Sequence, residues 1–325
     1  MTEIRHRTIQ TNGIQMHIAE AGEGPVVLLC HGFPELWYSW RHQLPALAAA
    51  GYHAVAPDMR GYGRTSAPEP IASYSIFHLV GDLIGLLDVL GAKDAVVVGH
   101  DWGSVVAWHA ATLRPDRFRG VVGMSVPALP RLPMSPLALM KAAAGERFMY
   151  ILYFQEPGKA ERELEADARR TMRMMLYSAS GSLPADHKWN FELPKTAGFL
   201  TGMVDPPKLP DWLSEADLDY YASEFTRTGF RGGLNWYRNF DRNWELMAPW
   251  QGAKVTIPAL FVGGLRDMVV TGGGEGEGPM VKAMTGFVTD LRGKVLIPGA
   301  GHWNQQEAPA ETNAALLDFL KQIER

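Results

Sequence analysis

The chain has 325 residues, of which 46% are hydrophobic, with a formal net charge of -4 and a single cysteine. That length and apolar content can bury a large core, and the mild charge offers no basic patch for nucleic acid. Cys30 cannot form an intrachain disulfide, Met1 to Arg7 lack the apolar stretch of a signal peptide, and no apolar run approaches the ~20 residues that span a bilayer. A soluble cytoplasmic protein with no membrane partner is the expectation.

The first elements are extended. Asn12-Gly13 separates Thr8–Gln10 from the alternating run Ile14–Ile18, a hairpin signal of the type I′ turn. Pro25–Cys30 is apolar throughout, as in a strand covered on both faces. A βα alternation follows: a helix over Leu44–Ala50, a short strand at Ala54–Ala56, and Leu79, Leu83, Leu86, Leu87 and Leu90 at helical spacing up to Gly91. Ala95–Val98 and Val121–Met124 are further buried strands, with a helix over Ser104–Leu113 between them. From about Pro127 to Trp250 the alternation fails, with Pro127, Pro130, Pro133 and Pro136 in a loop and helical stretches such as Glu161–Leu176 beyond it. The alternation resumes at Ile257–Val262 and continues through Val295–Ile297 and Ala308–Ile323. The pattern predicts an α/β domain with a mostly parallel central sheet, formed by residues 1–127 and 251–325 and interrupted by a helical cap over 128–250. Thr271–Gly278 is rich in glycine and glutamate and reads as a mobile loop.

Val96-Val97-Val98 runs into Gly99-His100-Asp101-Trp102-Gly103, after which a helix begins. A strand, a small residue on each side of a central nucleophile, and a helix make a nucleophile elbow. The turn is so sharp that flanking side chains would collide, and the helix start favours an anion there. The central residue is an aspartate. A carboxylate is already charged and can displace a leaving group at saturated carbon, forming an ester.

His31-Gly32-Phe33-Pro34-Glu35 follows the Val26–Cys30 strand, in the position of an oxyanion loop. The expected donors are the backbone N–H groups of Phe33 and Trp102, and His31 and His100 read as structural hydrogen-bonders. Chain order then requires an acid and a histidine. Asp267, after Ala259–Val262, and His302, after Val295–Ile297, both lie in loops past strand C-terminal ends. Asp267 would hold the His302 ring and stabilise its imidazolium. Met124-Ser125-Val126-Pro127 carries no carboxylate, so the other acid position used by some hydrolases is empty.

With these residues in hand, the chain resembles the α/β-hydrolase-fold epoxide hydrolases over nearly its whole length. The resemblance rests on His31–Glu35, Arg60-Gly61-Tyr62-Gly63, Gly99–Gly103 and Gly301-His302-Trp303, and on two segments of the insertion, Tyr153–Gly158 and Gly229–Asn239. It implies that Tyr153 and Tyr237 reach from the cap to the site and donate hydrogen bonds to the epoxide oxygen, a choice that the residues alone do not make, since Tyr150, Tyr177, Tyr220 and Tyr221 also lie in the insertion. Phenols, with an ordinary pKa near ~10, stay protonated at neutral pH and can do this. It also implies a cis peptide before Pro34. The Gly/Glu-rich stretch after Asp267 matches none of the family's motifs.

The resulting expectation is hydrolysis of a small apolar epoxide by water to a vicinal diol, through an ester on Asp101 and without metal or organic cofactor. Trp37 and Trp303, with Phe33 and Trp102, are expected to line an apolar pocket. A haloalkane dehalogenase shares the aspartate nucleophile and often the following tryptophan, but halide needs no protonation, so the paired tyrosine motifs favour the epoxide. A non-catalytic receptor or carrier on the same fold is the alternative of another class. The assembly is expected to be a monomer or a homodimer.

Overall fold

The computed structural model describes residues 3–184 and 193–324. Asn12 and Gly13 both have positive φ, 43° and 77°, so the two-residue turn closes β1 (Arg5–Thr11) onto β2 (Ile14–Ala21) with Thr11 opposite Ile14. The remaining strands are β3 (Val26–Cys30), β4 (His53–Pro57), β5 (Ala95–His100), β6 (Phe118–Met124), β7 (Ala259–Gly264) and β8 (Leu291–Ile297). They form one sheet in the order β1-β2-β4-β3-β5-β6-β7-β8. The pairs β1–β2 and β2–β4 are antiparallel, and all the others are parallel.

Every residue of β3 and β5 is buried, because helices cover both faces of the sheet. These helices are α1 (Gln43–Ala49), α2 (Ile76–Val89) and α3 (Trp102–Leu113), joined at the C-terminal end of the chain by α14 (Pro309–Ile323). On one face Leu79, Leu83, Leu86 and Leu87 pack with Leu28 and Val97; on the other Leu44, Leu47, Leu316 and Phe319 pack with Leu29 and Val98. The β3 and β5 strands thus point their C-terminal ends into one crevice, bounded by the loops that follow them.

β6 and β7 are hydrogen-bonded neighbours, yet β6 ends at Met124 and β7 begins at Ala259. The described chain between them is helical: α4 (Pro136–Ala144), α5 (Tyr150–Tyr153), α6 (Lys159–Leu164), α7 (Ala168–Ser178), α8 (Glu215–Thr228), α9 (Arg231–Tyr237) and α10 (Phe240–Leu246). The helical stretch expected over Glu161–Leu176 is two helices. Asp167 takes an extended conformation and its side chain accepts the Arg170 N–H at 2.9 Å, capping a new helix and breaking the old one. The insertion is anchored where the Trp236 indole donates to the Arg60 carbonyl at 3.0 Å, and where α9 passes so close to Gly61 that a Cβ on Gly232 would lie 1.9 Å from its oxygen. After β7 come α11 (Met268–Thr271) and α12 (Pro279–Ala283), and after β8 comes α13 (Asn304–Glu307). Among the described residues no helix is long and apolar enough to cross a membrane.

Candidate active site

β5 ends in a turn that leaves Asp101 with φ 53° and ψ −120°, a conformation side chains rarely adopt. The turn is tight enough that a Cβ on Gly99 would sit 2.0 Å from the Gly103 carbonyl oxygen. It presents the Asp101 carboxylate to the loop after β3, where the Phe33 N–H donates to Asp101 Oδ1 at 2.8 Å. The Phe33–Pro34 peptide is cis. Trp102 opens α3, so its N–H is among the helix's N-terminal donors.

On the other side of the carboxylate, His302 Nε2 lies 3.6 Å from Asp101 Oδ2, and His302 Nδ1 lies 3.0 Å from Asp267 Oδ2. Asp267 is 2% exposed and also caps α11 by accepting the Val269 N–H at 2.9 Å. With a carboxylate at Nδ1, the ring carries its proton on that nitrogen and turns Nε2 toward Asp101. Burial pulls the His302 pKa down, but the charges of Asp267 and Asp101 on its two sides outweigh that and hold it well above 6.5.

The histidine loop is held from behind. His100 Nε2–H donates to the His302 carbonyl at 2.7 Å, and its Nδ1 lies 2.6 Å from Glu35 Oε2. Both ring nitrogens therefore face oxygen acceptors. Glu35 is wholly buried and also accepts the amides of Gln305 and Gln306. Burial alone would raise its pKa, but the charge and hydrogen bond of His100 bring it down to about 2. Glu307 takes N–H donors from Gly301, Trp303 and, across the cleft, Gly181.

A cavity of about 340 Å³ opens onto Asp101, Asp267 and His302. Its apolar wall includes Phe33, Met175, Phe199, Met203 and Trp303, and Gly273 and Gly274 of the Gly/Glu-rich loop also border it. Two tyrosines line it, Tyr150 and Tyr237. Tyr237 is buried, its ring meets Trp102 edge-on at 5.2 Å, and burial followed by the Asp101 charge holds its pKa well above 10. Burial and the charges of Asp101 and Asp267 likewise raise Tyr150, so both phenols keep their protons.

Three of the side chains expected at the cavity lie elsewhere, and one of them, the Trp102 ring, packs against Trp236, Tyr237 and Phe240 instead. Tyr153 does not border the cavity: its hydroxyl donates to Glu163 Oε2 at 2.8 Å, and Lys159 Nζ sits 5.0 Å from its ring centre. Tyr150 and Tyr153 are the two ends of the single turn α5. Three residues along a helix advance it by about 4.5 Å and turn it by about 60°, enough to put one ring in the cavity and the other past its edge. Trp37 is the third correction. It opens a 3-10 turn, Trp37–Trp40, on the far side of the Phe33 loop, where its indole donates to the Tyr220 hydroxyl at 2.7 Å and its ring meets His6 edge-on. Trp303 does border the cavity, with its indole N–H fixed on the Leu176 carbonyl at 2.8 Å. The sequence sets Tyr150 beside Tyr153 without choosing it and shows Glu35 only as the end of the oxyanion motif, while Phe199 and Glu307 stand in no motif. Only Tyr150 had a signal for its role, as a second tyrosine on the same turn.

The sequence family described as the alpha/beta hydrolase fold matches residues 25–309. The chain is 51% identical to Epoxide hydrolase A of Mycobacterium tuberculosis, covering 98% of each, and 45% identical to Epoxide hydrolase 3 of Siraitia grosvenorii, covering 99% of this chain and 100% of that one. Among solved structures, Epoxide Hydrolase A from Mycobacterium thermoresistibile superposes with a TM-score of 0.92 at 51% identity over 98% of both chains. An epoxide hydrolase from an endophytic Streptomyces does so at 0.94 and 43%, over 99% of this chain and 96% of that one. An aspartate in a nucleophile elbow, a histidine–aspartate pair beside it and likeness over almost the entire length agree: the chain belongs to the epoxide hydrolases of the α/β-hydrolase fold.

Proposed function

We propose that the enzyme hydrolyses epoxides to vicinal diols through an ester on Asp101, with Tyr150 and Tyr237 as the proton donors. The observation that carries this is the convergence on one apolar cavity of the Asp101 carboxylate, two protonated phenols and the His302–Asp267 pair. Asp101 Oδ1 is already held by the Phe33 N–H, which leaves Oδ2 to attack a ring carbon. The carbon–oxygen bond breaks, and the departing oxygen takes a hydrogen bond and then a proton from a tyrosine. Oδ1 becomes the ester carbonyl oxygen.

The second step uses His302. Once Asp101 is an ester its negative charge is gone, and with it one of the forces that raise the His302 pKa. The imidazolium then passes its proton to the tyrosinate left by ring opening, and the neutral imidazole takes a proton from water as the hydroxide attacks the ester carbon. The oxyanion forms at Oδ1 beside the Phe33 and Trp102 N–H groups, where losing one such donor costs about 3 kcal/mol of barrier in other enzymes. The acyl carbon–oxygen bond to the substrate breaks, the departing alkoxide takes the proton of the new carboxylic acid so that Asp101 is again a carboxylate, the diol leaves, and His302 is once more the imidazolium of the resting enzyme. Asp267 keeps the ring oriented and stabilises the imidazolium. We further propose residues 1–127 and 251–325 as the catalytic core and 128–250 as a cap. For the location we propose the cytoplasm, which the single buried cysteine fits.

A single turnover of an aryl epoxide in heavy-oxygen water tests the reading. The first diol should carry no label, and the Asp101 peptide should carry it. Halide release from a haloalkane with no epoxide turnover would overturn it.

A further inference from the structure

The tyrosine that misses the cavity is built into something else. Glu163 lies in α6, outside the cavity, and its carboxylate collects three donors. Oε2 accepts the Tyr153 hydroxyl at 2.8 Å and the Phe199 N–H at 2.8 Å, and Oε1 accepts the Leu200 N–H at 3.0 Å. The two N–H groups open the 3-10 turn Phe199–Gly202, and a helix start leaves such donors without partners of its own. The fit is close: a Cβ on Gly198 would come 2.3 Å from Glu163 Oε1.

The turn so fixed carries Phe199, which is 2% exposed and borders the cavity, and it leads directly to Met203, which borders it too. The Phe199 ring packs on Phe154 at 4.8 Å and on Tyr150 at 5.9 Å. The turn packs against α6 and α7, and the α6 side of that support is the Glu163 carboxylate that satisfies its first two N–H groups.

We propose that Glu163, held in place by Tyr153, is a positioning residue for substrate specificity: it sets the Phe199 wall and thereby the room for the substituent of the epoxide far from Asp101. The inference rests on the epoxide reading and deepens it toward aryl-substituted epoxides, whose second ring would lie against Phe199. A glutamine at 163 keeps one acceptor oxygen for three donors and turns an amide N–H toward at least one of them. A phenylalanine at 153 removes one donor and leaves both backbone bonds.

The test compares a diaryl epoxide, trans-1,2-diphenyloxirane, with methyloxirane, which is too small to reach the wall. In Glu163→Gln the ratio of kcat/KM for the diaryl over the methyl substrate should fall by about fivefold or more, through KM of the diaryl substrate, with the rate of ester formation from methyloxirane within about twofold of the parent. Tyr153→Phe should move the ratio in the same direction by about twofold. Binding of unreactive 1,2-diphenylethanol, followed by calorimetry, should weaken about fivefold in Glu163→Gln while 1-phenylethanol changes by less than about twofold. Equal losses on both substrates, or an unchanged ratio in Glu163→Gln and in Tyr153→Phe, would overturn the proposal. Should Glu163→Gln fail to fold, Tyr153→Phe decides. If the parent enzyme turns over neither oxirane, the epoxide reading fails, and the two alcohols still report on the wall.

Discussion

The Tyr150 and Tyr237 rings cross at 76° with their centres 6.0 Å apart, one at the start of α5 and the other at the end of α9. Their convergence from two distant segments onto a cavity that holds Asp101 makes them a pair, and a pair can share the developing charge of an opening epoxide. Tyr150→Phe and Tyr237→Phe should each slow ester formation by about tenfold to a hundredfold, and the double variant by about a thousandfold or more. Rapid-quench measurement of the ester under single-turnover conditions reads this directly. A loss in Tyr153→Phe equal to that in Tyr150→Phe would return the donor role to Tyr153.

Replacing His302 should separate the two halves of the reaction. Asp101 needs no base to attack, since it is already an anion, so His302→Gln should still form the ester and fail to hydrolyse it. Intact-protein mass spectrometry should find a species heavier by the mass of one epoxide, with multiple turnover reduced by about ten-thousandfold. Asp101→Asn should form no such species within the lifetime of a freshly prepared sample. An ester in Asp101→Asn, or none in His302→Gln, would relocate the nucleophile.

Much of this was legible in the letters because short-range physics carries it. Asn12-Gly13 demanded a turn with positive φ, and Gly99 and Gly103 demanded a close crossing at Asp101. The β-strand runs and chain order then placed Asp267 and His302 past neighbouring strands. What was not legible depends on phase and on long-range pairing. Tyr150 and Tyr153 share one turn, and only the angle at which α5 meets the core selects between them. The buried Glu35–His100 pair links residues 65 apart in sequence, and Glu35 reads as the end of an oxyanion motif until His100 is seen against it. Asp167 looked like one more charge in a helical run, and became a cap because its own backbone is extended.

The charges around His302 give a pH signature. Its pKa in the resting enzyme stands well above 6.5, held there against burial by Asp267 and Asp101. Ring-proton nuclear magnetic resonance should therefore find His302 titrating above 6.5 in the parent, and lower in both Asp267→Asn and Asp101→Asn. Ester hydrolysis needs the neutral ring beside an esterified Asp101, so its rate should rise with pH around a lower midpoint than the resting titration. The sign for stability is the opposite of a carboxylate's. A histidine with a raised pKa contributes stability that is complete below 6.5 and is lost as pH rises through the folded value. A resting His302 that titrates below 6.5 would remove both expectations.

Glu35 makes the complementary prediction at acid pH. Its carboxyl is held at about 2 in the folded chain against an ordinary 4.5, because His100 overcomes the cost of burial. A depressed pKa contributes stability that is present above 4.5 and drains away as pH falls toward about 2. The difference corresponds to something on the order of 3 kcal/mol. Glu35→Gln cannot titrate and leaves His100 with an amide where a carboxylate stood, so it should be less stable at neutral pH and its stability should change less between pH 4.5 and 2. Urea unfolding of the two proteins across that window measures the difference in slope. The His302 backbone is tied to His100, so the same variant should also slow ester hydrolysis more than ester formation. Parallel stability profiles for Glu35→Gln and the parent across that window would mean that Glu35 does not carry the charge assigned to it.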